Sequence, residues 1–306
     1  MHHPHRLVRR SRRAARGGAT RTSGRNLRFE SLERRLALTG TWSAVANGIP
    51  GGNGVGTMLL LSDGSVMAQD GNNATSQNWY KLTPDSSGSY ANGTWTTLAQ
   101  SIKPRQFYAS AVLPDGRVFV CGGEYTNPNS NTPTEDNSGE IYDPVADTWS
   151  AIAVAPVSQV GDACCEVLAD GNVLVGPVKS NASYIYNVAT NTWTTGASLL
   201  HGAVFSEVSW AKLSDGSILT YAIQGTQPQQ GQRFVPDPGG NHALDQWVDA
   251  GVVPVTLETN AGGNFVPEIG AAVRLADGRI LHVGATNSTA IYTPPVTADG
   301  AGSWVA

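Results

Sequence analysis

Three carboxylates are the first candidates for chemistry: Asp162, Glu207 and Glu268. Asp162 and Glu207 each stand eight residues before the Asp of an Asp-Gly pair, at Asp170 and Asp215. Glu268 stands nine before Asp277. Near-equal offsets from a recurring turn mark equivalent points of a repeated unit, so the three converge wherever the units converge. Carboxylates brought together bind a cation, or act as an acid and base pair if their environments split their pKa values. Arg105 and His201 lie nearby. The competing reading is plainer: solvated residues at loop–strand junctions, hydrogen-bonded to backbone.

Other chemistry is thinner. Cys121, Cys164 and Cys165 show no zinc spacing. The adjacent pair should point to opposite faces of a strand, as small buried hydrophobes. His201, His242 and His282 share no spacing, and His282 reads as a satisfied core histidine on a second strand. Asp70-Gly71-Asn72-Asn73 resembles the start of a calcium loop, but Lys81 stands where the bidentate Glu belongs. No phosphate loop, dinucleotide fingerprint or nucleophile elbow occurs.

The elements that must position these residues are strands. The 306 residues include 35 Gly and 17 Pro, and only 14% are charged, against about 25% in ordinary domains. That excludes a helical bundle and fits a loop-rich all-β chain. No apolar run is long enough for a transmembrane helix, and three cysteines exclude a disulfide scaffold. Residues 1–40 hold eleven Arg against Glu30 and Glu33, a net +9; residues 41–306 carry a net −13. The basic tail has three readings: a nucleic-acid arm, a solvated tail or a targeting leader. It lacks interleaved aromatics, which argues against nucleic acid. Leu27–Gly40 (LRFESLERRLALTG) resembles the leader of planctomycete extracellular proteins, with Ser31 where a Pro is common. The resemblance implies export, and residues 1–40 are expected to be disordered.

One signature recurs five times in the body: Leu-x-Asp-Gly-x-(Val or Ile), with glycines at 64, 116, 171, 216 and 278. Asp-Gly between apolar alternations is a strong hairpin signal, because the turn needs the positive φ that Gly adopts freely. An aromatic then closes a strand at Tyr80, Tyr142, Tyr186, Phe234 and Tyr292, followed by Trp95, Trp149, Trp193, Trp247 and Trp304. Each unit therefore reads as a four-stranded antiparallel meander of roughly 50 residues, the length of a kelch blade. Blades bury both faces by stacking radially, with the Trp and Tyr between neighbours. Thr41–Val45 reads as a lone outermost strand before the first unit.

Residues 104–123 (PRQFYASAVLPDGRVFVCGG), followed by Gly139–Tyr142 and Asp147-Thr148-Trp149, resemble kelch repeats. Within them they are similar to the central propeller of galactose oxidase and its bacterial relatives. That resemblance implies a site at one channel mouth, where first strands begin, and a copper centre of two His, two Tyr and a cross-linked Cys. Here Val55 stands in place of the Cys, Phe107 in place of the cross-linked Tyr (with Tyr108 adjacent), and Glu268-Ile269 in place of a Tyr-His pair. Tyr125 matches the aromatic that stacks over the cross-link. The ligands are not matched, and no cofactor or metal is predicted.

The expected fold is an all-β kelch-type propeller over 41–306 with five visible four-stranded blades. It is either closed or a truncated six- or seven-bladed ring, truncation being favoured. The expected function is an exported, extracellular or cell-surface binding or structural module. Its ligand, carbohydrate or protein but not nucleic acid, would sit at the channel mouth or interblade loops, among Arg105, Tyr108, Tyr125, Asp162, Glu207 and Glu268. The alternative is a carbohydrate-active or oxidoreductase-like enzyme using the acidic cluster.

Overall fold

The computed structural model describes residues 42–71, 76–127, 132–227, 229–259, 267–297 and 300–306. Contacts separate Ser43–Ala306 as a compact second unit from the residues before it. The expectations for the leader lie outside the described residues.

Among the described residues the second unit holds twenty strands in five antiparallel sheets of four. Blade 1 holds β1 (Val55–Leu60), β2 (Val66–Asp70), β3 (Trp79–Thr83) and β4 (Thr94–Thr97). Blade 2 holds β5 (Ala109–Val112), β6 (Val118–Cys121), β7 (Gly139–Asp143) and β8 (Thr148–Ala151). Blade 3 holds β9 (Cys164–Val167), β10 (Val173–Gly176), β11 (Ala182–Asn187) and β12 (Thr192–Ser198). Blade 4 holds β13 (Trp210–Lys212), β14 (Ile218–Ala222), β15 (Gln230–Val235) and β16 (Gln246–Val252). Blade 5 holds β17 (Ala272–Arg274), β18 (Ile280–Val283), β19 (Thr289–Thr293) and β20 (Ser303–Val305). Each sheet is a plain meander in chain order.

The five Asp-Gly signatures form the β1–β2, β5–β6, β9–β10, β13–β14 and β17–β18 turns. In the first, Gly64 N–H donates to Leu61 O at 3.0 Å and Leu61 N–H to Ser65 O at 2.8 Å. The loop holds three residues: a type I turn closed by Gly64 at φ 80°. Asp63 Oδ1 accepts the Ser65 amide at 2.9 Å, so the aspartate ties off the turn.

The aromatics fill the seams between blades. Trp149, Trp193, Trp247 and Trp304 lie opposite Tyr142, Tyr186, Phe234 and Tyr292 in the sheet register. Blade 1 departs from the pattern: Trp95 lies opposite Leu82, and Tyr80 opposite Thr97. Three of the indoles reach back one blade. Trp149 donates to Ala99 O, Trp193 to Ala153 O and Trp304 to Ala250 O. Trp95 donates to Asn47 O at 2.9 Å, so the segment before β1 takes the place that a preceding blade's outer strand end takes elsewhere. That segment forms no strand.

Burial differs at the two ends of the array. On β6, β10 and β14, Phe119, Leu174 and Leu219 are fully buried. The corresponding row of blade 5, Val273, Leu281, Ile291 and Val305, is aligned strand to strand yet only partly covered, with Val273 49% exposed. On β1, Met58 is 62% and Leu60 64% exposed. Blades 1 and 5 thus each leave an apolar face uncovered within Ser43–Ala306.

His282 is buried as expected but not satisfied. Neither ring nitrogen has a partner among the described residues, and the ring lies between Tyr221 and Trp304 at centroid distances of 6.2 and 6.4 Å. Burial holds it neutral, lowering its pKa to about 4. The Cys121 and Cys164 thiols are pushed up to about 12 by burial, which keeps them protonated and unreactive.

Candidate functional site at the strand-start mouth

The first-strand starts are tied together by backbone. Past the ends of β6 and β10 the chain hydrogen-bonds to blade lead-ins, its own (Val178 to Val160) and the next blade's (Gly123 to Gly161, Lys179 to Phe205). Gly123 N–H donates to Gly161 O at 3.0 Å, Val178 N–H to Val160 O at 2.9 Å, and Lys179 N–H to Phe205 O at 3.0 Å. The approach is too close for a side chain. A Cβ on Gly122 would lie 2.7 Å from Val160 Cγ1, and one on Gly161 would lie 2.4 Å from Val178 Cγ1. Both glycines also hold positive φ. Gly161 thereby delivers Asp162 to the rim.

Asp162 and Glu207 share a side-chain hydrogen bond, and Glu268 and Glu124 lie within electrostatic reach of both. Burial and mutual repulsion raise all three shifted carboxyls. Asp162 goes to about 6 and Glu207 to about 8, burial being the first cause in each. The two facing carboxyls share one proton between them. Glu124 is raised by burial, then by Glu207 and Glu135. Lys179 supplies the local cation, 2.6 Å from Glu135.

The backbone here is strained. Phe107 and Glu207, at equivalent offsets in blades 2 and 4, both sit in the left-handed region at φ 54°. Glu135 and Lys179 do the same at 45° and 61°. Non-glycine residues held there cost on the order of 1 kcal/mol each, and such strain clusters at functional sites. Phe107 presents its ring beside Tyr125, edge to face at 6.1 Å.

The other proposed residues are drawn inward. Arg105 is buried, pairs with Glu140 at 2.9 Å and donates to Gly122 O and Ser138 O. Its cation is committed to holding the β6–β7 connection. Tyr108 donates to Gln69 Oε1 at 2.8 Å, and its hydroxyl is pushed well above the usual phenol range by burial. Both still line a cleft of about 330 Å³ that runs from blade 1 past Phe107 to Asp162. Glu124, Glu135 and Lys179 were missed from sequence; the signal was Glu124 directly after Gly122-Gly123.

A copper centre does not fit these residues. The converging donors are carboxylates, Val55, Phe107 and Ile269 carry no ligand atom, and the Cys164 thiol donates to Val208 O. Among the described residues no group of three or more His, Cys, Asp or Glu is arranged to hold a metal ion.

The fold and its repeated turns define a kelch-type β-propeller architecture. Residues 107–153 match the Kelch motif family model. The chain is 32% identical over 107 residues to an F-box/kelch-repeat protein of Arabidopsis thaliana, covering 33% of this chain and 26% of that one. It is 34% identical over 110 residues to Kelch repeat and BTB domain-containing protein 13 of Homo sapiens, covering 35% and 22%. Among solved structures it is similar to a copper-bound fungal alcohol oxidase of the AA5 family. There the TM-score is 0.53 at 19% identity, over 78% of this chain and 51% of that one. The aligned part thus spans about a quarter of the curated relatives and half of the oxidase. The oxidase likeness is one of fold.

Proposed function

We propose that the propeller is a protein-interaction module that receives a cationic side chain of its partner at the strand-start mouth. The observation that carries this reading is the pairing of strain with charge: Glu207 is held at φ 54° beside Asp162, and burial and Asp162 raise its carboxyl. A fold without use for that carboxyl would relieve both costs with a glycine. An arriving guanidinium or ammonium group exchanges for the shared proton and leaves two paired carboxylates. Phe107 and Tyr125 offer it aromatic surface beside the charge. The kelch-repeat relatives support the interaction role. Export belongs to the same reading and rests on the leader resemblance; fractionation of the producing cells tests it.

The test is calorimetric titration with a short arginine peptide in two buffers of different ionisation enthalpy. Binding with proton release, lost in Glu207→Gln, is expected. No binding, or binding unchanged by Glu207→Gln and Asp162→Asn, overturns the proposal. A second reading is catalytic. A proton-sharing carboxyl pair is also an acid–base device, although two carboxyls in hydrogen-bond contact are closer than the roughly 5 Å that glycoside hydrolysis needs. Turnover of chromogenic glycosides or esters that disappears in Asp162→Asn would favour it.

A further inference from the structure

The remaining cluster of titratable groups lies away from the mouth, at the Asp-Gly turn end of blades 3 and 4. His242 sits in a 3-10 turn, His242–Leu244, within the loop that joins β15 to β16. Its Nδ1 is 2.9 Å from Asp245 Oδ2, and its Nε2 is 2.8 Å from Asp170 Oδ2, in the β9–β10 turn of the neighbouring blade. We propose that His242 is a proton-operated latch: charged, it clamps the 236–245 loop to blade 3; neutral, it lets blade 3 go.

The five turns make the case by contrast. Asp115 and Asp277 pair with Arg117 and Arg279, two residues on, at 2.7 Å. Asp215 is bound by Arg233 of its own blade. Asp63 takes the Ser65 hydroxyl at 2.5 Å and feels Lys81 of its own blade. In blade 3 the corresponding partner is neutral Asn172, whose amide donates to Asp170 Oδ2 at 2.6 Å. Asp170 thus draws its cation from the next blade, where the others draw theirs from within.

The two ends of the clamp are unequal. Asp245 is buried, and its Oδ1 accepts the Asp237 amide at 2.7 Å, so its carboxylate is fixed to the loop. Asp170 is partly exposed. An imidazolium donates to both carboxylates at once. A neutral ring keeps one N–H, which Asp245 retains at Nδ1. The Nε2 lone pair then faces Asp170 Oδ2, an acceptor against an acceptor, and that contact breaks. Asn172 Nδ2, 3.3 Å from Nε2, cannot serve both groups as well as it serves Asp170.

The charged and titratable groups facing the ring are Asp245 on its own turn and Asp170 from blade 3. Strand β12, packed against the turn, carries none. Asp237, on the loop itself, is occupied with the amides of Gly239 and Asn241. Burial opposes the charge on His242, but the hydrogen bonds to Asp245 and Asp170 outweigh it and raise the pKa above 6.5. The contribution to stability is therefore full below about pH 6.5 and is lost as pH rises through the raised value. The latch opens on alkalinisation.

The experiment uses the full chain. Long-range 1H–15N NMR follows the His242 ring nitrogens against pH, and amide exchange of 236–245 is measured from pH 5.5 to 8.5, corrected for intrinsic rates. Expected are a midpoint above 6.5, an Nδ1–H tautomer above it, and faster exchange of 236–245 at the high end than at pH 5.5. Asp170→Asn should lower the midpoint and raise exchange at pH 5.5. A wild-type midpoint at or below 6.5, exchange that ignores pH, or an unchanged Asp170→Asn protein overturns the proposal.

Discussion

Replacing Glu207 with Gln isolates the cost of the carboxyl pair. In the folded chain burial and Asp162 raise Glu207 from 4.5 to about 8. A carboxyl whose folded pKa is raised binds more protons folded than unfolded across that window. Its folded state is thus undisturbed below pH 4.5, and stability falls as pH climbs towards 8. At 1.36 kcal/mol per unit the whole interval would amount to about 5 kcal/mol. Glu207 is only about half buried, so water screens much of this, and about 1–2 kcal/mol is the expected loss between pH 5 and 9. Glutamine keeps a donor for Asp162 and removes the second charge. Urea unfolding at pH 5, 7 and 9 reads the difference between the two proteins, which cancels the histidines. Glu207→Gln should match wild type at pH 5 and exceed it by about 1–2 kcal/mol at pH 9. Equal pH slopes, or a variant less stable at pH 9, would refute the reasoning.

Phe107→Gly should leave stability unchanged or raise it by up to about 1 kcal/mol, because glycine accepts φ 54° without strain, while arginine-peptide affinity drops; thermal melts and calorimetry check the two halves. Acidification acts through His282: its folded pKa of about 4 lies below the ordinary 6.5, so stability is full above pH 6.5 and falls by about 2–3 kcal/mol towards pH 4. His282→Phe should flatten that limb in acid denaturation. The uncovered faces of blades 1 and 5 should drive self-association; sedimentation velocity of Met58→Lys with Leu60→Lys should show less association than wild type, and equal association would count against this.

The repeat was legible because its signals are local. Asp-Gly between apolar strands can only turn, and in blades 2 and 3 an aromatic followed by Trp at seven residues can only fold back on itself, so the five repeated turns gave the blade order. Blade 1 shows where spacing fails: Tyr80 stands fifteen residues before Trp95, and the sheet register sets Leu82 opposite the indole instead. The offsets from the turns also named Asp162 and Glu207, because each first strand starts within a few residues of the same distance before its turn. Other properties depend on which blade faces which. Arg105 carries a charge in the sequence, but Glu140 and Ser138, more than thirty residues away, decide that it is spent inside. Burial and Asp162, across a blade boundary, raise the Glu207 carboxyl, and the charge on His242 is held by Asp245 and then by Asp170, 72 residues earlier. Left-handed Glu207 lies two residues past Phe205, which exchanges backbone hydrogen bonds with Lys179 and Ser180 of blade 3. Local chemistry determined the strands and turns. Contacts between blades decided which ionisable groups face one another, and therefore which hold a proton.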